Sequence, residues 1–205
     1  MPIFTCIYLC LHIEMVVDGT LIHAPNSVEI GIGRNIIEHP SVIQLGGSDP
    51  ELLGKAVDIV KEYGGEYQEI NLNCGCPSQR VTNHLFGARL MLDPERVRRV
   101  TATMIRHSDV PITVKCRLGC DEYDSYDELK NFIGTVHLSG VNKFIIHARK
   151  CLLSGLTTKQ NRDVPPLKYE VVHKLIEDFP DLEFILNGGI KTLQQSKQHL
   201  NNVYY

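Results

Sequence analysis

The chain has 205 residues, 43% hydrophobic and 22% charged, and carries a formal net charge of −3. That length and balance describe one globular domain with a substantial core, and the small net charge excludes a global pull toward nucleic acid or an anionic membrane. Any RNA contact must come from local patches. One candidate is Arg96/Arg98/Arg99/Arg106, whose helix buries Val97, Val100 and Met104 and so reads as a solvated face; the other is Arg149/Lys150/Lys159/Arg162/Lys168. The stretch Met1 to Cys10 is apolar but lacks a basic leader and the length of a membrane span, so neither a signal peptide nor a transmembrane helix is expected. Seven cysteines (6, 10, 74, 76, 116, 120, 151) are scattered through an α/β pattern. They read as reduced thiols of an intracellular protein, with the cytoplasm expected before an organelle. Cys74-x-Cys76 is closer than the spacing of about two to four residues usual for structural zinc, and Cys116 lies mid-strand facing outward, so no metal is expected.

In chain order, a first strand is expected near Cys10 to Val17 and a second over 41–46, where Val42/Gln44 oppose Ile43/Leu45. Ser48-Asp49-Pro50-Glu51 reads as a capping box opening a helix with the stripe Leu52, Leu53, Ala56, Val57, Val60 and Tyr63, closed by Gly64-Gly65. A strand over 69–74 sets Asn71/Asn73 against Ile70/Leu72 and delivers Cys76 to a loop. Asp93-Pro94 caps the next helix. A strand over 112–118 sets Thr113/Lys115/Arg117 against Ile112/Val114/Leu118, and Ser125 with Glu128 starts a helix carrying Leu129, Phe132, Ile133 and Val136 that stops near Gly140. Strands over 143–149 (Ile145/His147/Arg149 against Phe144/Ile146) and 183–187 (Ile185/Asn187 against Phe184/Leu186) follow, with helices at about 168–178 and from Thr192 onward.

Strand and helix alternating this regularly imply βαβ units and a parallel sheet. In each of the last five strands the polar residues share one face and lie toward the C-terminal end. A buried strand does not ordinarily spend a face on amides, because each must find partners or cost roughly 1–3 kcal/mol. The pattern therefore predicts an α/β fold of the TIM (β/α)8 type, with a site at the C-terminal rim. About six strands are legible where about eight close a barrel. Residues 1–205 thus read as a partial barrel domain. Its open edges predict aggregation or partner dependence, with helix-facing residues such as Ile112 and Phe144 or their neighbours exposed.

The segments 43–48 (IQLGGS), 69–78 (EINLNCGCPS), 114–117 (VKCR), 145–150 (IIHARK), Asn161-Arg162, 165–167 (PPL) and 187–190 (NGGI) resemble, in order, successive motifs of the FMN-dependent tRNA-dihydrouridine synthases. The likeness is to the subgroup that modifies D-loop uridines, called A-type in bacteria, and covers about residues 39–200, with 1–11 atypical. It implies an oxidoreductase that reduces uridine in tRNA to 5,6-dihydrouridine with FMN as cofactor and NADPH as hydride donor. Cys76 resembles the active-site cysteine, the general acid toward uracil carbon five, a role open to a thiol that stays protonated at neutral pH. Gln44 and Lys115 look like flavin-ring contacts, the ammonium near the ring edge where negative charge collects. His147 resembles the histidine on the flavin and its ribityl-phosphate arm, and Asn187, Gly188 and Gly189 stand where the phosphate is expected. Asn73 and Arg117 are candidates for hydrogen bonds to uracil and flavin, and Arg149, Lys150 and Arg162 for the RNA backbone. Cys74 reads as packing.

Met1 to Leu9 does not resemble the family's opening Ala-Pro-Met strand and loop, and neither its eighth strand nor its C-terminal helical RNA-binding domain is recognised. The isolated chain is accordingly expected to be a poor enzyme. Two other readings stay open: an inactive fragment of such an enzyme, and an FMN barrel that reduces free pyrimidines.

Overall fold

Apolar residues alternating with polar ones along each strand, and recurring on one stripe of each helix, dictate a sheet with helices packed on one of its faces. The computed structural model describes residues 11–12, 15–23, 41–63, 67–82 and 85–201. Its strands are β1 (Leu11–His12), β2 (Val16–Val17), β3 (Ser41–Gly46), β4 (Tyr67–Cys74), β5 (Ile112–Arg117), β6 (Lys143–His147) and β7 (Glu183–Asn187). Every pairing is parallel, and the order is β1-β3-β4-β5-β6-β7 with β2 also on β3. Strictly sequential order, without the reversal of a doubly wound sheet, is the winding of a (β/α)8 barrel. Among the described residues β7 pairs with β6 alone, so the sheet is an open arc of that barrel.

The long helices are α2 (Pro50–Tyr63), α4 (Pro94–His107), α5 (Tyr126–His137), α7 (Tyr169–Asp178) and α8 (Leu193–Asn201). Asp93 accepts a hydrogen bond from the Arg96 amide at 3.0 Å, with Pro94 at the first helical position. Ser125 and Glu128 form a reciprocal capping box. At α2 the cap is Asp49 instead of Ser48: the Leu52 amide donates to Asp49 Oδ1 at 3.0 Å. Pro50, which suits the first helical position, places the preceding residue at the cap.

The core lies between sheet and helices. Leu53, Ala56 and Val57 of α2, Val97, Val100 and Met104 of α4, Phe132 and Ile133 of α5, and Val172 and Leu175 of α7 are buried with Ile43, Leu45, Ile70, Leu72, Val114, Cys116 and Ile146. Cys74 belongs to this packing, as expected. The expected exposure of Ile112 and Phe144 is corrected here, for they are 5% and 0% exposed, covered by the helix layer.

The single first strand expected over 10–17 is also corrected. Two short pairs on β3 take its place, and α1 (Asp18–His23) follows at once, its first turn held by the Gly19 amide donating to Asp18 Oδ1 at 2.6 Å. Short turns α3 (Gln79–Thr82) and α6 (Gln160–Asp163) and a 3-10 segment, Gly87–Leu92, escape sequence reading because each is too short to show a period. Among the described residues no helix is long and apolar enough to cross a membrane.

The capping geometry is testable. Asp49→Ala is expected to lower unfolding free energy by about 1 kcal/mol in urea titrations. Ser48→Ala should change it by less than about 0.5 kcal/mol; the reverse ranking would contradict the cap.

Candidate active site

Parallel register sets the inward residues of neighbouring strands side by side: Gln44 beside Asn71 beside Thr113, then Asn73 beside Lys115, then Arg117 beside His147 beside Asn187. The first layers form a hydrogen-bonded relay. Asn73 Nδ2 donates to Gln44 Oε1 at 2.7 Å, Gln44 Nε2 to Asn71 Oδ1 at 2.8 Å, and Asn71 Nδ2 to Thr113 Oγ1 at 2.9 Å. Asn71, Asn73 and Thr113 are all buried, so the relay satisfies amides that would otherwise be costly.

The relay ends on the cysteine loop. Asn73 Oδ1 accepts from the amides of Gly75 at 3.1 Å and Cys76 at 3.0 Å. From the other side, Arg117 Nε donates to the Gly75 carbonyl at 2.9 Å, and the Ala88 amide donates to the Cys76 carbonyl at 2.9 Å. Both peptide groups of Gly75 and Cys76 are therefore held, and the half-buried Cys76 side chain is carried by a rigid loop. Gly87, at φ +66°, supports it: a Cβ there would stand 2.6 Å from the Cys76 carbonyl oxygen.

Beside this loop stands a group of basic side chains. Lys115 is half-buried and Arg117 and His147 are buried. Among the described residues none of Lys115, Arg117, Arg149 or Arg162 forms an ion pair. Burial, then the neighbouring Arg117, pushes the Lys115 pKa down, while Cys116 and Cys76 oppose the shift. Burial first, and then Arg117, Lys115, Arg149 and Arg162, hold His147 down at about 3. Its imidazole is neutral at physiological pH and available to donate through one nitrogen and accept through the other.

Other sequence candidates stand further out. Arg117 Nη1 donates to the carbonyls of Asn161 at 2.9 Å and Lys150 at 3.3 Å, so much of its guanidinium braces the loop after β6. Arg149 is half-buried, donates to the Pro165 carbonyl, and keeps a buried Nε without a partner among the described residues. Lys150 is neutralised by Asp124 at 2.9 Å and lines a cleft of about 280 Å³ with Leu118, Asp124, Tyr126, Pro166, Lys168 and Val171, apart from the cofactor candidates. Arg162 is exposed, as is Asn187, whose carbonyl accepts from the Ala148 amide at 2.9 Å. Gly188, at φ +110°, lies so close to the imidazole that a Cβ would stand 2.5 Å from His147 Cδ2. Among the described residues no group of three or more His, Cys, Asp or Glu could hold a metal ion.

Comparison with known proteins bears on this arrangement. A profile of the dihydrouridine synthase (Dus) family matches residues 8–203. The chain belongs to that family. It is 46% identical over 193 residues to the tRNA-dihydrouridine(20/20a) synthase of Shewanella oneidensis, covering 94% of this chain and 56% of that one. It is 48% identical over 191 residues to the enzyme of the same name from Pasteurella multocida, covering 93% and 57%. The chain thus spans rather more than half the length of these curated relatives. Among solved structures, a putative fructose-1,6-biphosphate aldolase from Coccidioides immitis matches with a TM-score of 0.53 at 13% identity, over 92% of this chain and 64% of that one, a likeness of fold alone. The family match begins well upstream of residue 39, where the motif resemblance starts.

Four residues of this family member escaped sequence reading as individuals. Asn161 is fully buried and anchors the loop, its Oδ1 accepting from the Leu152 amide at 2.8 Å and its Nδ2 donating to the Leu152 carbonyl at 3.0 Å. The Asn-Arg motif marked the position but not the task. Asn71 and Thr113 were legible only as polar strand residues. Asp18, a buried carboxyl, is raised by burial against the Gly19 amide, and its only signal was an Asp-Gly pair after two valines.

The depressed His147 pKa carries a sign. Between about 3, in the fold, and the ordinary 6.5, the unfolded chain binds the extra proton. The protein should therefore lose stability as pH falls through that window and gain nothing from this group above it. NMR is expected to show no titration of the His147 ring from pH 5 to 8, and His147→Gln should flatten the acid loss; a midpoint near 6.5 would contradict the cation cluster.

Proposed function

We propose that residues 1–205 form the partial FMN-binding barrel domain of a tRNA-dihydrouridine synthase that reduces a D-loop uridine, with Cys76 as general acid. The observation that carries this reading is a cysteine on a loop whose Gly75 and Cys76 peptide groups are both held, beside cations that no carboxylate neutralises among the described residues. The relatives' activity as tRNA-dihydrouridine(20/20a) synthases supports the substrate class.

The residues present fit the flavin. A partly buried positive cluster with no counter-charge among the described residues suits an anionic ligand, and the amides of Gln44 and Asn73 each keep hydrogen-bonding capacity beyond the relay. Bound FMN, reduced by NADPH, would supply the hydride for uracil carbon six. Lys115 and Arg117 would hold negative charge at the ring edge, His147 and the Asn187-Gly188-Gly189 turn would receive the ribityl-phosphate arm, and Asn73 would meet the uracil or flavin edge while fixing the cysteine loop. Cys76 holds the proton at Sγ and delivers it to carbon five, and the clamp spares it reorganisation at that moment. Arg162 and Arg149 would meet RNA phosphates, with Lys150 joining them only on release from Asp124.

In a full-length context, Cys76→Ala is expected to leave the FMN dissociation constant unchanged while dihydrouridine formation in unmodified tRNA falls by a factor on the order of 10² to 10⁴. Undiminished turnover would remove Cys76 from the reaction. Lys115→Ala should weaken FMN binding, by fluorescence titration, more than Lys150→Ala does, because Lys115 stands in the uncompensated cluster and Lys150 is already paired; equal effects would contradict the cofactor geometry.

A further inference from the structure

Cys120 and Cys151 have no part in the chemistry above, yet among the described residues they are the two thiols that meet. Their sulfurs stand 3.2 Å apart and both side chains are fully buried. They lie on the segments following β5 and β6, joined as a parallel bridge. The Cys151 amide donates to the Gly119 carbonyl and the Asp121 amide to the Cys151 carbonyl, each at 2.9 Å, and Cys120 exchanges both backbone bonds with Tyr123. Strands so paired lie about 4.8 Å apart. That is inside the Cα separation of about 4.4–6.8 Å that a disulfide accepts, and each sulfur need move only about 0.6 Å to reach bonding distance. The backbone already has the spacing of the bonded state.

We propose that Cys120 and Cys151 form a reversible dithiol–disulfide site that closes by exchange with a small-molecule disulfide of the glutathione type. The exchange can begin at Cys151: with Cys120 as donor, the contact between the sulfurs favours the Cys151 thiolate, burial opposes it, and Arg117 favours ionisation of either thiol. The Cys151 thiolate forms a mixed disulfide and releases one small thiol, which takes up the proton lost from Cys151. Cys120 then attacks Cys151 Sγ and releases the second, which takes up the Cys120 proton. Two protein thiols are oxidised to one S–S bond and one small disulfide is reduced to two thiols.

Access and selectivity both follow from the surroundings. The pair sits with Ala88 in a small cluster separate from the main core, covered by the partly buried Leu153, which leads into the exposed Ser154 and Gly155. Local opening of that segment admits the oxidant without disturbing the sheet. Cys74 and Cys116 provide the contrast. They are cross-strand neighbours, but they lie inside the main core, and burial pushes Cys116 up to about 12 and Cys74 well above its usual range. Closure would tie the segment carrying Arg149 and Lys150 to the one after β5, across 31 positions of chain.

The test incubates the reduced full chain with oxidised and reduced glutathione over a range of ratios, quenches with acid, alkylates under denaturing conditions and maps the peptides by mass spectrometry. A Cys120–Cys151 cross-linked peptide, about 2 Da lighter than the sum of its reduced parts, is expected to accumulate as the ratio rises, with Cys74 and Cys116 alkylated throughout. The oxidised form should melt about 5 °C or more higher, reversibly with dithiothreitol. Cys120→Ser and Cys151→Ser should each abolish the cross-link, but the wild-type map decides by itself. Full alkylation of both thiols at the most oxidising ratio, glutathione adducts without the cross-link, or a different pairing would each overturn the proposal.

Discussion

The Asn73 side chain is the interaction on which the site depends. Its carbonyl oxygen accepts from two successive amides of the cysteine loop, and its amide nitrogen donates into a chain that runs through Gln44 and Asn71 to Thr113. Each link is a neutral hydrogen bond of modest net worth, but all of them are partly or wholly buried, and breaking one strands its neighbours. The loop position is thus fixed by three adjacent strands at once, which is only achievable because parallel register holds those strands in step.

Charge is distributed along the sheet with equal consequence. At the N-terminal end Lys143 is held between Glu69 at 2.7 Å and Glu183 at 3.3 Å, an arrangement complete in itself. At the C-terminal end Lys115, Arg117 and Arg149 crowd a neutral His147 with no carboxylate in reply among the described residues. Stability alone favours the first arrangement. Like charges gathered at one end of the sheet oppose folding.

The loops after β5 and β6 are joined more closely than connecting segments usually are. Arg117 grips two carbonyls of the second loop, Asn161 closes that loop on itself, Asp121 accepts from the Leu153 amide, and the Cys120 and Cys151 thiols touch. These contacts place the exposed Arg162 on a supported loop rather than a free one. They also put a pair of thiols within reach of bonding, outside the main core.

Period-two alternation in the strands and the caps at Asp93 and Ser125 were legible in the sequence by itself, and with them the parallel α/β winding and the polar rim. So were Cys76, Gln44, Lys115 and His147 as residues of one end of the sheet, because side-chain period and strand direction are local properties. The first strand was misread: its two short pieces take their pairing from β3 and their break from the chain entering α1, neither of which leaves a periodic trace. Tertiary structure alone decided which amide pairs with which, that Lys150 is spent on Asp124 while Lys115 is not, that Asn161 anchors a loop, and that Cys120 meets Cys151 instead of Cys116. Those are relations between residues tens of positions apart. They are set by cross-strand register and by the path of the loops, and no local pattern in the sequence encodes either.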